Sequence, residues 1–358
     1  MGVGKKVTLR CEQFEDRTLL SAVVSDVMPT FMPTFQVYQP TAIGPDGGSA
    51  PGAALSADGS PISLGSKNPS GITPAQMRMA YGMNSLTFGS IIGDGTGQTI
   101  ALVDAYDQPN IAADLKAFDA HFGLPDPPSF VKVGETGTTT SLPTKDAPGG
   151  WGVEISLDVE WAHVMAPMAN ILLVEVNSPN DLFIGEDVAR QKADVSVISN
   201  SWGGDEFSGQ SSFDSHFVTP AGHIPITFLA SSGDGGAYSI QNPTFKTPSY
   251  PADSPNVVAI GGTNLKVDAS GDYISESGWG NGTNSFDQNL GGLGGGGGGV
   301  STIVSEPNYQ KTVVPASITT SKRAVPDVAL DADPNSGVPV YDTYDFGTTG
   351  PWEQIGGT

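Results

Sequence analysis

Residues 153–176 read VEISLDVEWAHVMAPMANILLVEV, and this stretch indicates how the chain folds. Its first half places Glu154 and Asp158 four residues apart, so on a helix both carboxyl groups lie on one face, one turn apart. Its second half, Asn170–Val176, is a nearly continuous apolar run with the length of a buried strand. A helix that leads directly into such a strand predicts an α/β unit.

The same alternation of strands and helices continues on both sides of this stretch. Apolar strands are predicted at 99–104, 195–200, 224–230 and 257–262, and helices at 111–122, ended by Gly123, and at 181–192. Continuous apolar strands between helices predict an α/β fold with a doubly wound, mostly parallel sheet and helices on both faces. Ligands of such sheets bind at the carboxyl ends of the strands, and Asp104, Trp202 and Asp234 all follow strands at that end.

The chain divides into three regions. Residues 14–22, FEDRTLLSA, are similar to a short N-terminal sorting motif of exported bacterial proteins, so we assign 1–22 to export and expect an extracellular or cell-surface location. Residues 23–71 are rich in Pro, Gly, Ser and Ala, which predicts a disordered linker. Thr73 is a candidate N-cap with Pro74 at the first helical position, so we expect one ordered domain over 72–358.

Composition excludes several classes of protein. The 358 residues include 38 acidic and 16 basic side chains, for a formal charge of −22. Nucleic acid and anionic membranes are excluded as partners, since phosphate binding needs a basic surface. The excess of acid fits a protein of acidic media, a halotolerant protein or simply a soluble one. Cys11 is the single cysteine, which rules out a disulfide within the chain and a cysteine metal site, and no apolar run is long enough for a membrane span.

Two features have more than one interpretation. Carboxyl groups as close as Glu154 and Asp158 share a proton and titrate as a pair, which suits a general base below neutral pH, although a solvated acidic helix face has the same pattern. Residues 291–299 are nearly all Gly. Such a run is either a flexible spacer or a backbone surface pressed against another segment.

Several motifs occur in a fixed order across residues 72–358. They are the Glu154/Asp158 helix within 152–169, VISNSWGG at 197–204, ASSGDGG at 230–236, YPA at 250–252, GGT at 261–263, GGVS at 298–301, RAVPDVALDADP at 323–334 and IGGT at 355–358. In this order they resemble the sedolisin family, the serine-carboxyl peptidases. The resemblance implies a subtilisin-like fold and hydrolysis of peptide bonds, usually at acid pH, with peptides or proteins as substrates and a monomeric enzyme.

The resemblance also implies roles for individual residues. Glu154 matches the general base, Asp158 its partner, Asp234 the oxyanion-hole aspartate and Asp104 a further acid behind the pair. A carboxylate can activate a serine at a pH where histidine is protonated, and a neutral Asp234 can donate a hydrogen bond to an oxyanion. The implied substrate-binding residues are Ser201, Trp202, Gly203, Ser231, Ser232 and Gly233, with Trp202 as an aromatic flank of the site.

The sequence departs from the family pattern at three points. The nucleophilic serine of the family follows Gly-Thr directly, whereas here Gly357-Thr358 is the end of the printed chain. We therefore expect a truncated, inactive form whose Ca²⁺ ligands, present in complete members of the family, lie beyond residue 358. The region before residue 72 is also short for the folded pro-domain of the family, and Asp104 is shorter than the usual glutamate.

Two other functions compete with this one. A subtilisin-type Ser/His/Asp enzyme would use Asp104 and a histidine, of which the chain has His121, His163, His216 and His223, but none has a His-Gly-Thr-His-like context. We interpret His163 as a helix-packing residue. The second alternative is a non-catalytic exported binding or surface protein on a peptidase fold.

Overall fold

The computed structural model describes residues 28–37, 65–239, 245–280 and 294–358, together with the backbone of 42–43 and 49–50. The predicted export segment and Cys11 lie outside these residues. The α-helices are α1 (Pro74–Ala80), α2 (Ile111–Phe122), α3 (Trp151–Met165) and α4 (Leu182–Arg190). Of these described helices, none is long and apolar enough to cross a membrane.

The strands fall into one large sheet and several small ones. In chain order they are β1 (Met32–Pro33), β2 (Gln36–Val37), β3 (Ala42–Ile43), β4 (Ser49–Ala50), β5 (Thr87–Phe88), β6 (Ile91–Ile92), β7 (Thr99–Ala105), β8 (Phe130–Gly134), β9 (Asn170–Val176), β10 (Val195–Asn200), β11 (Trp202–Asp205), β12 (Thr227–Ser231), β13 (Ser249–Tyr250), β14 (Val258–Val267), β15 (Tyr273–Gly278), β16 (Gly299–Ser305), β17 (Lys322–Val325), β18 (Val328–Asp331), β19 (Val338–Tyr341) and β20 (Trp352–Gly356).

The central sheet confirms the predicted class. Eight strands join in the order β15-β14-β12-β10-β7-β9-β8, with β18 also paired to β14. All of these pairs are parallel except β14–β15. Parallel neighbours require crossovers, and α2, α3 and α4 lie in the crossovers between strands of this sheet.

Helices cover both faces of this sheet, as predicted. Leu102, Ile171 and Leu173 point to one face and pack with α2 and α3 residues such as Leu115 and Ile155. Their neighbours in the strands point to the other face, where the core contains α4, because successive side chains of a strand alternate. The members of this second core from β7, β9 and α4 are Ala101, Val103, Ala105, Leu172, Val174, Val176, Leu182, Phe183 and Ala189.

Several predicted boundaries are confirmed. Thr73 caps α1 in a capping box with Gln76, and Gly123 ends α2 at a φ of 70°. Strands β9 and β10 have the predicted bounds. The strand predicted at 224–230 instead begins at Thr227, because Pro225 has no N–H for a ladder.

Residues 28–37 correct the prediction of a disordered linker. Strand β1 pairs antiparallel with β11, and β2 pairs antiparallel with β20. Phe31 is 2% exposed and belongs to the main core. A local composition rich in Pro and Thr predicts disorder, but here pairing with distant strands satisfies the backbone.

Candidate active site

Four carboxyl groups from three elements lie together at the carboxyl end of the sheet. Asp104 is near the end of β7, Glu154 and Asp158 are on α3, and Asp234 follows β12. Asp104, Glu154 and Asp234 are buried, whereas Asp158 is half-buried. Glu154 experiences the negative charges of the other three. The structure therefore brings together the carboxyl groups that the sequence singled out.

The two carboxyl groups on α3 influence each other's ionisation. Burial, followed by the charge of Asp158, raises the pKa of Glu154 well above its ordinary value. Burial also raises the pKa of Asp158 to about 7, although hydrogen bonds from Ser201 and Glu154 oppose this rise. Among the described residues, no hydrogen bond of ordinary geometry reaches either Glu154 oxygen, although Asp158 and Ser201 are close enough to influence its pKa.

Ser201 fixes the position of this pair. Its Oγ donates a hydrogen bond to Asp158 Oδ1 at 2.6 Å, from the junction between β10 and β11. The sequence analysis assigned Ser201 only to substrate binding and missed this contact. The available signal was its place at the end of a strand on the edge where Asp104 and Asp234 also lie.

Asp104 lies behind the pair, where the resemblance placed a further acid. Burial, Asp158 and Glu175 raise the pKa of Asp104 well above its ordinary value, in that order. Glu175 is its register partner across β7 and β9. Over the residues that the structure covers, neither Asp104 oxygen has a hydrogen-bond partner. This carboxyl group is therefore most stable when protonated.

Asp234 faces the last residue of the chain. Its Oδ1 accepts hydrogen bonds from the N–H and Oγ1 of Thr358, at 2.8 and 3.0 Å. Its Oδ2 is buried and has no partner among the described residues. Burial raises the pKa of Asp234 to about 6, and the bonds from Thr358 reduce this rise. The Gly233 N–H donates to Thr358 Oγ1 at 3.0 Å, which holds the terminus against the loop.

The described part of the Gly-rich run is a backbone surface pressed against this loop. The Gly295 N–H donates to the Asp234 carbonyl at 2.8 Å, and the Gly297 N–H donates to the Gly233 carbonyl at 2.6 Å. A β-carbon at Gly297 would collide with the Ser232 carbonyl. Of the two interpretations, close packing therefore holds for residues 294–298, whereas a β-carbon at Gly299 would meet nothing within 4 Å and 291–293 lie outside the described residues.

The predicted substrate-binding residues line two strand edges near the pair. Ser201 and Gly203 border strand β11, and Ser231 and Ser232, which are buried, end β12 and begin the Asp234 loop. Trp202, expected as an aromatic flank of the site, has a fully buried side chain. Its Nε1 donates to the Val103 carbonyl at 2.9 Å, so the indole is part of the core.

The histidines do not assemble a Ser/His/Asp site. His163 Nε2 lies 2.7 Å from the Pro125 carbonyl and 3.4 Å from Asp119 Oδ1, and burial lowers the pKa of this histidine. His163 is therefore a packing residue between α2 and α3. The partners of the other three histidines also lie away from the four carboxyl groups: Phe122 and Trp352 for His121, Asp187 for His216, and Lys192 and Ile224 for His223.

The acidic stretch near the C-terminus is structural. Asp327 receives two hydrogen bonds of 2.6 Å from Arg323. Asp331 accepts from Ser336 and Asp333 accepts from Asn264. Among the described residues, no group of three or more acids, histidines or cysteines has the geometry of a metal site.

Comparison with known proteins agrees with this geometry. A model described as the subtilase family matches residues 150–354. Kumamolisin of Bacillus sp. (strain MN-32) is 33% identical over 279 residues, which are 74% of this chain and 46% of that protein. Sedolisin of Pseudomonas sp. (strain 101) is 39% identical over 137 residues, 37% of this chain and 21% of that protein. The chain thus spans at most about half the length of these curated relatives.

A solved structure also matches. It is titled Pseudomonas sedolisin (serine-carboxyl proteinase) complexed with two molecules of pseudo-iodotyrostatin. The TM-score is 0.65 with 27% identity, and the match covers 81% of this chain and 77% of that one. This confirms the predicted subtilisin-like fold. The family model covers more than half of the chain and the relatives are sedolisins, so the chain belongs to the subtilase family, as a sedolisin-type member.

Proposed function

We propose that this chain carries the site of an acid-acting serine-carboxyl endopeptidase. Glu154 is the general base, Asp158 its partner, Asp104 a further acid behind them and Asp234 the oxyanion donor. The nucleophile is a serine directly after Thr358, so a chain that ends at Thr358 does not hydrolyse peptides. Membership of a family of serine peptidases supports hydrolysis of peptide bonds as the activity.

The observation that carries the proposal is the clustering of four carboxyl groups, three buried and one half-buried, with Glu154 close enough to experience the charges of the other three. None of the ion pairs among the described residues includes any of the four. Such groups hold their protons well above ordinary carboxyl pKa values. Perturbed carboxyl pairs at strand ends are typical of acid–base sites.

The chemistry follows from the two protonation states. In the attack, the serine Oγ bonds to the carbonyl carbon of the substrate while the hydroxyl proton of the serine passes to Glu154. Asp158 and Ser201 hold Glu154 in place, as the third member of a triad does. The negative charge that develops on the carbonyl oxygen is stabilised by a proton on Asp234, which requires a pH below its raised pKa of about 6.

The test uses the protein extended past Thr358 through its serine. The pair must release a proton before Glu154 can accept one, so activity is compared at the pH at which the extended parent is most active. Glu154→Gln keeps the shape of the side chain but removes the base, so we expect kcat at that pH to fall by roughly 10³-fold. Hydrolysis of a fluorogenic peptide measures this. Activity within about tenfold of the parent would remove Glu154 from the role of base.

The matched control is Glu160→Gln on the same helix. Glu160 is also fully buried, burial raises its pKa, and its Oε2 accepts the Tyr341 N–H at 3.0 Å, which an amide oxygen can replace. We expect near-parent activity for this variant. If the extended parent binds peptides but never hydrolyses them, the alternative of a non-catalytic binding protein is favoured.

The remaining properties follow from the family. We propose an exported, monomeric enzyme that binds Ca²⁺ through residues beyond 358 and cleaves within peptides or proteins. No step at the Glu154 site depends on that ion. Its role would be to hold the C-terminal part of the domain.

A further inference from the structure

A segment of the chain itself lies in the groove beside the four carboxyl groups. Residues Met32 and Pro33 pair antiparallel with Gly203 and Trp202. The Thr34 N–H then donates to the Ser201 carbonyl at 3.0 Å. This is addition of a strand to an exposed sheet edge, the way in which extended peptides bind many proteins.

The pairing resumes on the opposite side of the site. Gln36 and Val37 pair antiparallel with Gly356 and Ile355 of strand β20. Between the two pairings only Thr34 and Phe35 remain, so strands β11 and β20 hold the two sides of the Thr34–Phe35 peptide bond.

This peptide bond faces the candidate oxyanion residue. Gly357 has a φ of +125°, and a β-carbon there would collide with the Thr34 carbonyl oxygen and the Phe35 Cα and lie 2.9 Å from Asp234 Oδ2. The Thr34 carbonyl oxygen, Gly357 and Asp234 Oδ2 therefore lie close together. Thr34 Oγ1 also donates at 3.0 Å to Ser231 Oγ, one of the predicted substrate-binding residues.

Phe31 anchors the segment. Its ring makes edge contacts with Phe183 and Trp202, both with centroids 5.4 Å away. Met32, the next residue, is 42% exposed, as expected for alternation along a strand. The buried face of Trp202 is thus the wall of an aromatic pocket that Phe31 fills.

We propose that residues 28–37 are an intramolecular ligand of the peptide groove, bound in the register of a substrate. Thr34 occupies the acyl side, Phe35 the leaving side and Phe31 the aromatic pocket. The groove therefore selects extended peptides with an aromatic residue three positions before the acyl residue. This inference rests on the proposed function for the meaning of the two sides, but not for the binding itself.

The segment could also bind in a second register, because it contains a repeated tripeptide. Pro-Thr-Phe occurs twice, at 29–31 and at 33–35. A shift by four residues would place Thr30 at the position of Thr34, but Val27 would then replace Phe31 in the aromatic pocket. The smaller Val27 would leave part of that pocket empty, which favours the observed register.

The experiment measures whether the groove is already filled. A fluorescein-labelled peptide with the sequence of residues 28–37 is titrated into the 1–358 chain at about pH 4, where acidic groups of ordinary pKa are half protonated. We expect Phe31→Ala in the chain to raise the affinity for this peptide at least about tenfold, since removing an aromatic anchor releases the internal strand. Met32→Ala, on the exposed side of the same strand, leaves the affinity at the parent value.

A second variant keeps the core intact. Thr34→Pro removes the N–H that binds the Ser201 carbonyl and the hydroxyl that binds Ser231 Oγ, so it loosens the segment without removing Phe31. We expect it also to raise peptide affinity. Equal affinity in the parent, Phe31→Ala and Thr34→Pro chains, with folding verified by circular dichroism, would overturn the proposal.

Peptide variants test the register. A peptide with Ala in place of Phe31 should bind at least about tenfold more weakly than one with Ala in place of Phe35. Equal binding of the two peptides, or the opposite order, would overturn this register. None of these measurements needs turnover, so they can succeed even if the Glu154→Gln test refutes the proposed chemistry.

Discussion

The proposed role of Asp234 and its hydrogen bonds favour opposite protonation states of its carboxyl group. As an oxyanion donor it must be protonated, yet its Oδ1 accepts two hydrogen bonds from Thr358, which favour the ionised form. Burial decides the balance and raises its pKa to about 6. The partner-free Oδ2 is therefore the atom expected to carry the proton towards the groove.

Asp234→Asn tests this balance. An amide donates at every pH but less strongly than a carboxylic acid, so we expect kcat/KM at about pH 4 to fall by roughly 10²-fold. As pH rises through about 6 the parent loses its donor and the variant does not, so the ratio of variant to parent should increase. A ratio that stays constant from pH 4 to about 7 would show that Asp234 does not donate.

At the scale of elements, strand ends assemble the site and local patterns predicted most of them. Asp104 and Asp234 were located correctly because continuous apolar runs identify buried strands, and the carboxyl ends of parallel strands share one edge. The position of residues 28–37 was not predictable in this way. Its pairing with β11 and β20 is non-local, and two prolines interrupt any period in the segment.

The contact between Ser201 and Asp158 escaped prediction for a related reason. Helix α3 places Asp158, but which side chain faces it depends on how the helix crosses the sheet. The same limit applies to the Gly-rich run, because composition alone does not distinguish a spacer from a packed backbone. Only the bonds from Gly295 and Gly297 to the Asp234 loop decide between them.

Gly297→Ala tests whether that loop depends on close backbone packing. The new methyl group would meet the Ser232 carbonyl, and since backbone cannot rotate away, the Asp234 loop must move. We expect a loss of about 1–3 kcal/mol in the free energy of unfolding. We also expect a fall in peptidase activity of the extended protein larger than this loss of stability explains.

Gly280→Ala is the matched control, since a β-carbon there meets nothing within 4 Å. Denaturant unfolding and turnover are measured on both variants. If Gly297→Ala behaves like Gly280→Ala, the loop does not need the packed glycine.

At the scale of the whole molecule, buried acids set the pH range in which the fold is stable. Burial is the first cause that raises the pKa of many carboxyl groups outside the site, to about 7 for Asp119 and Asp331 and about 8 for Glu175, Glu186, Asp253 and Asp342. In the unfolded chain these groups return to ordinary values near 4. The native state therefore binds more protons than the unfolded state between about pH 4 and 8, and stability falls as pH rises through this window.

Glu186 gives the cleanest single test of this pH dependence. It is fully buried on α4, and besides Asp187 and Arg190 its neighbour is Asn200, whose side-chain hydrogen bond opposes the rise in the pKa of Glu186. Below about pH 4 the Glu186 carboxyl group is protonated in both the native and the unfolded state. In the unfolded chain it loses its proton near pH 4, whereas in the native state its pKa is raised to about 8. Ionisation above that pKa costs roughly 4–5 kcal/mol.

Glu186→Gln should remove this penalty, because a buried amide has no charge to desolvate at any pH. Between about pH 4 and 8 we expect the thermal midpoint of the parent chain to decrease. The decrease for the variant should be smaller by on the order of 10 °C, and the two midpoints should be equal at about pH 4. Asp272→Asn, which changes the same charge at an exposed position, should leave the parent curve unchanged. Parallel curves for parent and Glu186→Gln would mean that the buried carboxyl is already ionised in the native state, and that the acid preference of the fold arises elsewhere.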